Sequence, residues 1–135
     1  MGDLGLWQPH INNCATTEVF VPIGQAGTSG PLGFCIEKDQ RTAAEYQVAR
    51  QTCLGLGKRL PEVVERTYAC LNATGLNNIT GSYEWSTNFP FIILSGSSNG
   101  LHASASGSVN CRDTAVGEVF AQNHTAETQA YRCVH

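Results

Sequence analysis

The chain has 135 residues, 14% of them charged, and a net charge of −3. That length suits one folding unit able to bury a core of its own. Two lysines (Lys38 and Lys58) and six scattered arginines leave no basic footprint for nucleic acid and no polybasic patch for a membrane, and no apolar run reaches the roughly 18 residues that would insert into one.

The opening Met1-Gly2-Asp3-Leu4 lacks a basic segment leading into an apolar one, so it reads as the start of a module rather than a signal peptide. Thr17 to Pro22 is β-branched and alternating, which predicts a strand that Pro22 stops. Gly24 to Gly33 has turn composition, and Phe34-Cys35-Ile36-Glu37 reads as a second strand. Thr42-Ala43-Ala44-Glu45 has the form of a capping box, in which the hydroxyl accepts from the backbone three residues on and the carboxylate reaches back. Behind it Tyr46, Ala49, Cys53 and Leu56 recur at helical spacing as one apolar stripe, and Gly55 and Gly57 can supply the left-handed residue that ends the helix. A second helix is expected from Pro61, with Glu62 and Glu65 at the positive end of its dipole and Val64, Tyr68 and Leu71 as its buried face.

Beyond residue 72 helix signals fade. Phe91 to Leu94, Val116 to Phe120 and Ala130 to Val134 are strand candidates. No charged residue occurs between Trp85 and Cys111, a stretch rich in Ser, Gly and Asn. Such composition marks turns in any fold, but with a few aromatics it is also how adaptable binding surfaces are made.

Six cysteines at wide spacings read as three disulfides of an extracellular protein, buried free thiols being the alternative. Metal binding is not expected, because no Cys-x-x-Cys, His-x3-His or His-Glu-x-x-His is present. No cofactor motif is present either. Catalytic signals are equally thin. There is no Gly-x-Ser-x-Gly elbow, and His102 and His124 stand in polar stretches with no evident partner to make either a base. The sequons at Asn72, Asn78 and Asn123 read as chance occurrences in an Asn- and Thr-rich chain.

Phe34-Cys35-Ile36-Glu37-Lys38, Thr42, Tyr46, Gly57-Lys58-Arg59-Leu60-Pro61, Glu65 and Tyr68-Ala69 occur in an order that resembles the formylglycine-generating-enzyme and sulfatase-modifying superfamily. Glu84-Trp85 and the closing Tyr131-Arg132-Cys133-Val134 are similar to later motifs of the same proteins. The likeness is dense over residues 34–71 and sparse afterwards. It implies an α+β, C-type-lectin-like fold: two helices on a small antiparallel sheet with long irregular loops, stapled by disulfides. Residues 34–135 would form that domain and residues 1–33 an N-terminal strand and loop extension, in one compact unit. In such folds the cysteine of the first helix pairs with one in the last strand, which implies Cys53–Cys133. Cys14–Cys35 and Cys70–Cys111 would then staple the N-terminal segment and the polar loops.

The enzymes of that superfamily bind copper through a closely spaced late cysteine pair. Here the late cysteines, Cys111 and Cys133, are far apart, so the resemblance does not carry catalysis. The Glu-Pro-Asn or Gln-Pro-Asp and Trp-Asn-Asp triplets of calcium-dependent lectins are also missing, and residues 85–111 hold a single carboxylate-free run. The expectation is a ligand- or receptor-binding module, not an enzyme, at the end of a larger bacterial or phage surface or fibre protein. It would meet a host or cell-surface glycan or protein outside the cell. By analogy with retroelement-diversified relatives the binding surface falls on Trp85, Asn88, Phe89, Ser97, Asn99, His102, Asn110 and Arg112, with Trp85 equally fit for the core. Relatives at fibre tips are commonly trimers, which admits a homotrimer through the parent protein. A formylglycine-type oxidase and a structural trimerising cap are the alternatives.

Overall fold

The computed structural model describes residues 13–25, 31–87, 91–93, 100–106, 110–112, 114–121 and 127–135. β1 (Glu18–Gln25) and β2 (Pro31–Glu37) form an antiparallel pair in which Glu18 faces Glu37 and Gln25 faces Pro31. The register shifts between Pro22 and Gly24, where proline withholds a ladder donor without ending the strand. Gly33 lies at a close approach: a Cβ there would come within 2.0 Å of the Val21 carbonyl oxygen. Val21, Phe34 and Ile36 point inward and cluster with Ala69 and Val134.

β3 (Arg41–Glu45) opens the second sheet and pairs antiparallel with β8 (Thr128–Tyr131). β4 (Glu84–Trp85) runs parallel to β8 and antiparallel to β6 (Gly100–Ser106). β5 (Phe91–Ile93) and β7 (Thr114–Ala121) also pair with β6. The chain end joins the two sheets. Val134 bridges both Ile36 and Arg59, and Cys35 and His135 exchange backbone hydrogen bonds.

Helix α1 (Tyr46–Gly55) buries Tyr46, Ala49 and Cys53, as its spacing predicts. Its Tyr46 and Cys53 belong to a second apolar cluster with Leu60, Trp85, Tyr131 and Cys133. Leu56 departs from the expected stripe: it is the C-cap and half exposed. Gly57, with φ +73, takes the left-handed turn after the helix. The capping box expected at Thr42 does not form. Thr42 lies within β3, and the helix begins after Glu45, which makes no side-chain cap bond. Pairing of residues 41–45 with β8 satisfies the backbone groups that a cap would otherwise serve.

Helix α2 (Val63–Asn72) departs further from expectation. Pro61 is not its first residue but lies ahead of the N-cap, Glu62, and a capping box forms between Glu62 and Glu65. Its buried residues are Glu65, Arg66 and Ala69, while Val64, Tyr68 and Leu71 face solvent. The helix is therefore rotated so that its two charged side chains reach interior partners.

All six cysteines are in disulfides: Cys14–Cys35, Cys53–Cys133 and Cys70–Cys111, each with Cα atoms 5.4 to 5.5 Å apart. Cys53–Cys133 ties α1 to the end of the chain across 80 residues. Cys70–Cys111 ties α2 to the connection between β6 and β7. The protein is thus a disulfide-stapled α+β fold, and its disulfides are compatible with an oxidising compartment. Among the described residues no helix is long and apolar enough to cross a membrane.

Candidate functional site

The buried charges of this protein serve one another. Glu84 is 1% exposed and accepts from Arg66 Nε and Arg132 Nε, both at 3.0 Å, and from Gln40. Arg132 also donates to the carbonyls of Glu37, Lys38 and Asn77, so one guanidinium ties the end of β2 and the segment after α2 to the chain just past β8. Arg59 grips Glu65 with two parallel bonds of 2.6 and 2.8 Å, the fork geometry that makes arginine–carboxylate pairs strong. Glu37 is shared by Arg41, Lys58 and the Cys133 amide.

Glu18 receives the Ala15 amide, Lys58 and His135. Burial pushes its carboxyl upward, but the bonds from Lys58, Ala15 and His135 together outweigh burial and bring its pKa down to about 2. Burial likewise opposes ionisation of Glu37, and Arg41, the Cys133 amide and Lys58 again win. A Glu18 oxygen and the sulfurs of Cys14 and Cys35 lie within 4.8 Å of one another. The two sulfurs are bonded to each other and the carboxylate is held by Lys58, so the trio is a strut and not a ligand set.

Among the described residues three clefts open between these struts, and they differ in what their walls have left to offer. The first, about 240 Å³, is lined by Thr17, Glu37, Asp39, Gln40 and Arg41. Its Glu37 and Arg41 bind each other, Asp39 accepts from Asn77, and Gln40 donates to Ser82 and Glu84. The second of these, about 180 Å³, lies against Gly57, Lys58, Arg59, Val134 and His135, where Lys58 and Arg59 are paired with carboxylates.

The remaining cleft, about 350 Å³, is lined by Tyr46, Gln47, Arg50 and Thr87. Helical spacing of three and four residues puts Arg50 on one face with Gln47 and Tyr46. Tyr46 stands edge-on to Trp85, with ring centroids 5.5 Å apart, and its hydroxyl is hydrogen-bonded to Thr87. Thr87 is fixed in turn by its amide, which donates to the Pro61 carbonyl at 2.7 Å. Burial raises the Tyr46 pKa, and the charge of Arg50 is close enough to oppose that rise. Arg50 is exposed and has no carboxylate partner among the described residues. The cleft therefore keeps an unneutralised guanidinium beside neutral donors and acceptors.

The surface expected from sequence is reached only in part. Trp85 is a core residue: it is fully buried, and its indole N–H donates to the Ala44 carbonyl at 2.8 Å. That bond satisfies its one polar atom and turns the ring away from any ligand. Asn110 and Arg112 are exposed and adjacent, the Arg112 amide donating to Asn110 Oδ1. The backbone of His102 lies in β6 opposite Phe91 and Glu118. Asn88, Phe89, Ser97 and Asn99 lie outside the described residues. Sequence reasoning missed Gln47, Arg50 and Thr87 as a group. A usable signal was present: positions 46, 47, 53 and 54 hold no carboxylate, so Arg50 has no helical neighbour to pair with.

No family model matches the chain, and no curated protein or solved structure matches it at a significant level.

Proposed function

We propose that this chain is a binding module with a C-type-lectin-like fold, carried on a larger surface or fibre protein and recognising a cell-surface glycan or protein. The observation that carries the reading is the cleft at the start of α1. Interior carboxylates and guanidiniums are consumed in mutual pairs, whereas Arg50 has no carboxylate partner among the described residues and stands beside a wall that α1 and the Thr87 anchor hold in place. Polar groups held on a rigid scaffold are what recognition requires. The arrangement of α1, α2 and a chain end just past β8 tied to α1 by Cys53–Cys133 supports the lectin-like reading. With all six cysteines oxidised, the thiol pair of a copper oxidase is not on display, which favours binding over a formylglycine-type oxidase.

Labelled, monodisperse protein applied to an array of cell-surface glycans and to intact bacterial cells tests this. Saturable binding to one class of target is expected. Absence of binding to every target, or two reducible thiols that take up copper in the native protein, overturns it. The structural-cap reading draws on the solvent-facing Val64, Tyr68 and Leu71 of α2. A ligand-free trimer in analytical ultracentrifugation would favour that reading instead.

A further inference from the structure

We propose that the cleft formed by Tyr46, Gln47, Arg50 and Thr87 takes a sugar bearing a carboxylate, a uronic or nonulosonic acid unit. The inference rests on the binding-module reading and names the ligand class of its site. The charge inventory comes first. Arg41, Lys58 and Arg59 also line clefts, but each is neutralised by Glu18, Glu37 or Glu65. Arg50 alone among these cleft-lining cations has no carboxylate partner among the described residues.

A single guanidinium matches a singly charged ligand. Its planar fork presents two parallel N–H groups to a carboxylate, a geometry that a neutral hydroxyl cannot exploit as fully. A phosphate, carrying more charge, is usually met by several cations or by a helix terminus as well. Among the described wall residues the remaining groups are two hydroxyls, bonded to each other, and the Gln47 amide, which can donate and accept. That mixture suits vicinal ring hydroxyls, and among the described residues no aliphatic side chain lines the cleft to receive an apolar residue of a peptide. At about 350 Å³ the space lies at the small end of ligand sites, a fit for one saccharide unit. Tyr46 and Thr87 are already bonded to each other and anchored to Trp85 and Pro61, so the floor is formed before a ligand arrives. Preorganisation of this kind lowers the entropic cost of binding.

The test is a two-dimensional amide NMR titration of the full chain with glucuronic acid and N-acetylneuraminic acid, alongside glucose and the methyl ester of N-acetylneuraminic acid. The acids should shift the amides of Gln47, Arg50 and Thr87 saturably, and their uncharged counterparts should bind at least about tenfold more weakly, the scale of one charge-assisted hydrogen-bond pair. Arg50→Gln should abolish that preference. Arg50 is exposed, so the fold should survive the change, and an unchanged dispersion of the other amides checks this. Lys38→Gln, which removes a cation on the β2–β3 connection that is not in the described lining of any of the three clefts, should leave the preference intact.

Equal affinity for acid and ester, or equal loss in the Arg50 and Lys38 variants, overturns the assignment. Binding of neutral glycans at the same cleft, independent of Arg50, would overturn the ligand class and leave the binding-module reading standing. Failure to bind these sugars together with failure on the array and on cells would sink both.

Discussion

Helices α1 and α2 are each ten residues long and each carries one half-cystine, yet they turn opposite chemistry inward. α1 buries Tyr46, Ala49 and Cys53. α2 buries Glu65, Arg66 and Ala69 and leaves Val64 at 63% exposure. Rotating α2 to bury Val64, Tyr68 and Leu71 would gain roughly 1.5–3 kcal/mol for each side chain. It would also part Arg59 from Glu65 and take Arg66 from buried Glu84, the latter a broken buried pair costing about 3–5 kcal/mol, and pull Cys70 away from Cys111. The difference teaches that a helix face is chosen by the partners waiting for it. For α1 those are Leu60, Trp85 and Tyr131; for α2 they are Arg59 and Glu84.

The strongest way to break α1's side of the comparison is to remove its staple. Replacing Cys53 and Cys133 together with alanine opens a closure of 80 residues, worth about 4–5 kcal/mol by chain entropy, and also thins a fully buried cluster. On α2, losing Cys70–Cys111 opens 41 residues and should cost about 4 kcal/mol, with less core damage because Cys70 is only partly buried. Urea unfolding of the two double variants should rank them in that order. A larger loss from the α2 staple would mean that α2's contacts outweigh α1's.

Glu84→Gln attacks the polar interior directly. It leaves Arg66 and Arg132 buried side by side without a counter-charge, and a loss of about 3–5 kcal/mol in the same unfolding assay is expected. Arg66 Nη1 already lacks a hydrogen-bond partner among the described residues, so the cluster has no spare acceptor to absorb the change. A loss below about 1 kcal/mol, the range of exposed pairs, would show that water reaches the cluster.

These two tests also mark where the sequence was legible. α1 was readable because its interior face is apolar and recurs at 46, 49 and 53. Cys53–Cys133 is the pair that the family resemblance implied, and the other four cysteines pair as Cys14–Cys35 and Cys70–Cys111. The inner face of α2 was hidden because periodicity scores Glu65 and Arg66 as solvent-facing; their partners, Arg59 and Glu84, come from a preceding loop and a later strand. The Thr42 capping pattern misled for a related reason: the partner strand β8 lies more than 80 residues away and its claim on residues 41–45 has no local signature. Of the candidate site, the lone position of Arg50 was readable in principle. The Thr87 wall was not, because it depends on a contact with the Pro61 carbonyl.

Acid should weaken the polar interior before the apolar one. Glu18 has its pKa lowered from 4.5 to about 2, so it binds a proton more readily in the unfolded chain than in the folded one. Its contribution is therefore complete above about pH 5 and declines as pH falls toward 2, a swing of roughly 3 kcal/mol. Glu37, shifted the same way, adds to this acid limb. Lys58 is raised, its bonds to Glu18 and Glu37 overcoming burial, so its share is complete below its ordinary value near 10.5 and is lost as pH rises beyond it. Stability measured against pH for the native protein and for Glu18→Gln should converge below pH 2–3; parallel curves would remove Glu18 from the account.

The smallest effect should come from the face that periodicity would have buried. Val64→Ser, Tyr68→Ser and Leu71→Gln each change a side chain that is 37% exposed or more, and each should shift stability by no more than about 0.5 kcal/mol. Leu60→Ala, at 2% exposure in the cluster that α1 joins, should cost about 2–5 kcal/mol. The contrast matters because the apolar stripe on α2 and the one on α1 look alike in sequence. If the three α2 changes together cost as much as Leu60→Ala while the protein stays monomeric, the stripe is covered within the chain and the orientation of α2 is wrong. If they cost little in a monomer but abolish a trimer, the stripe belongs to an assembly, and α2 faces outward because another chain completes its core.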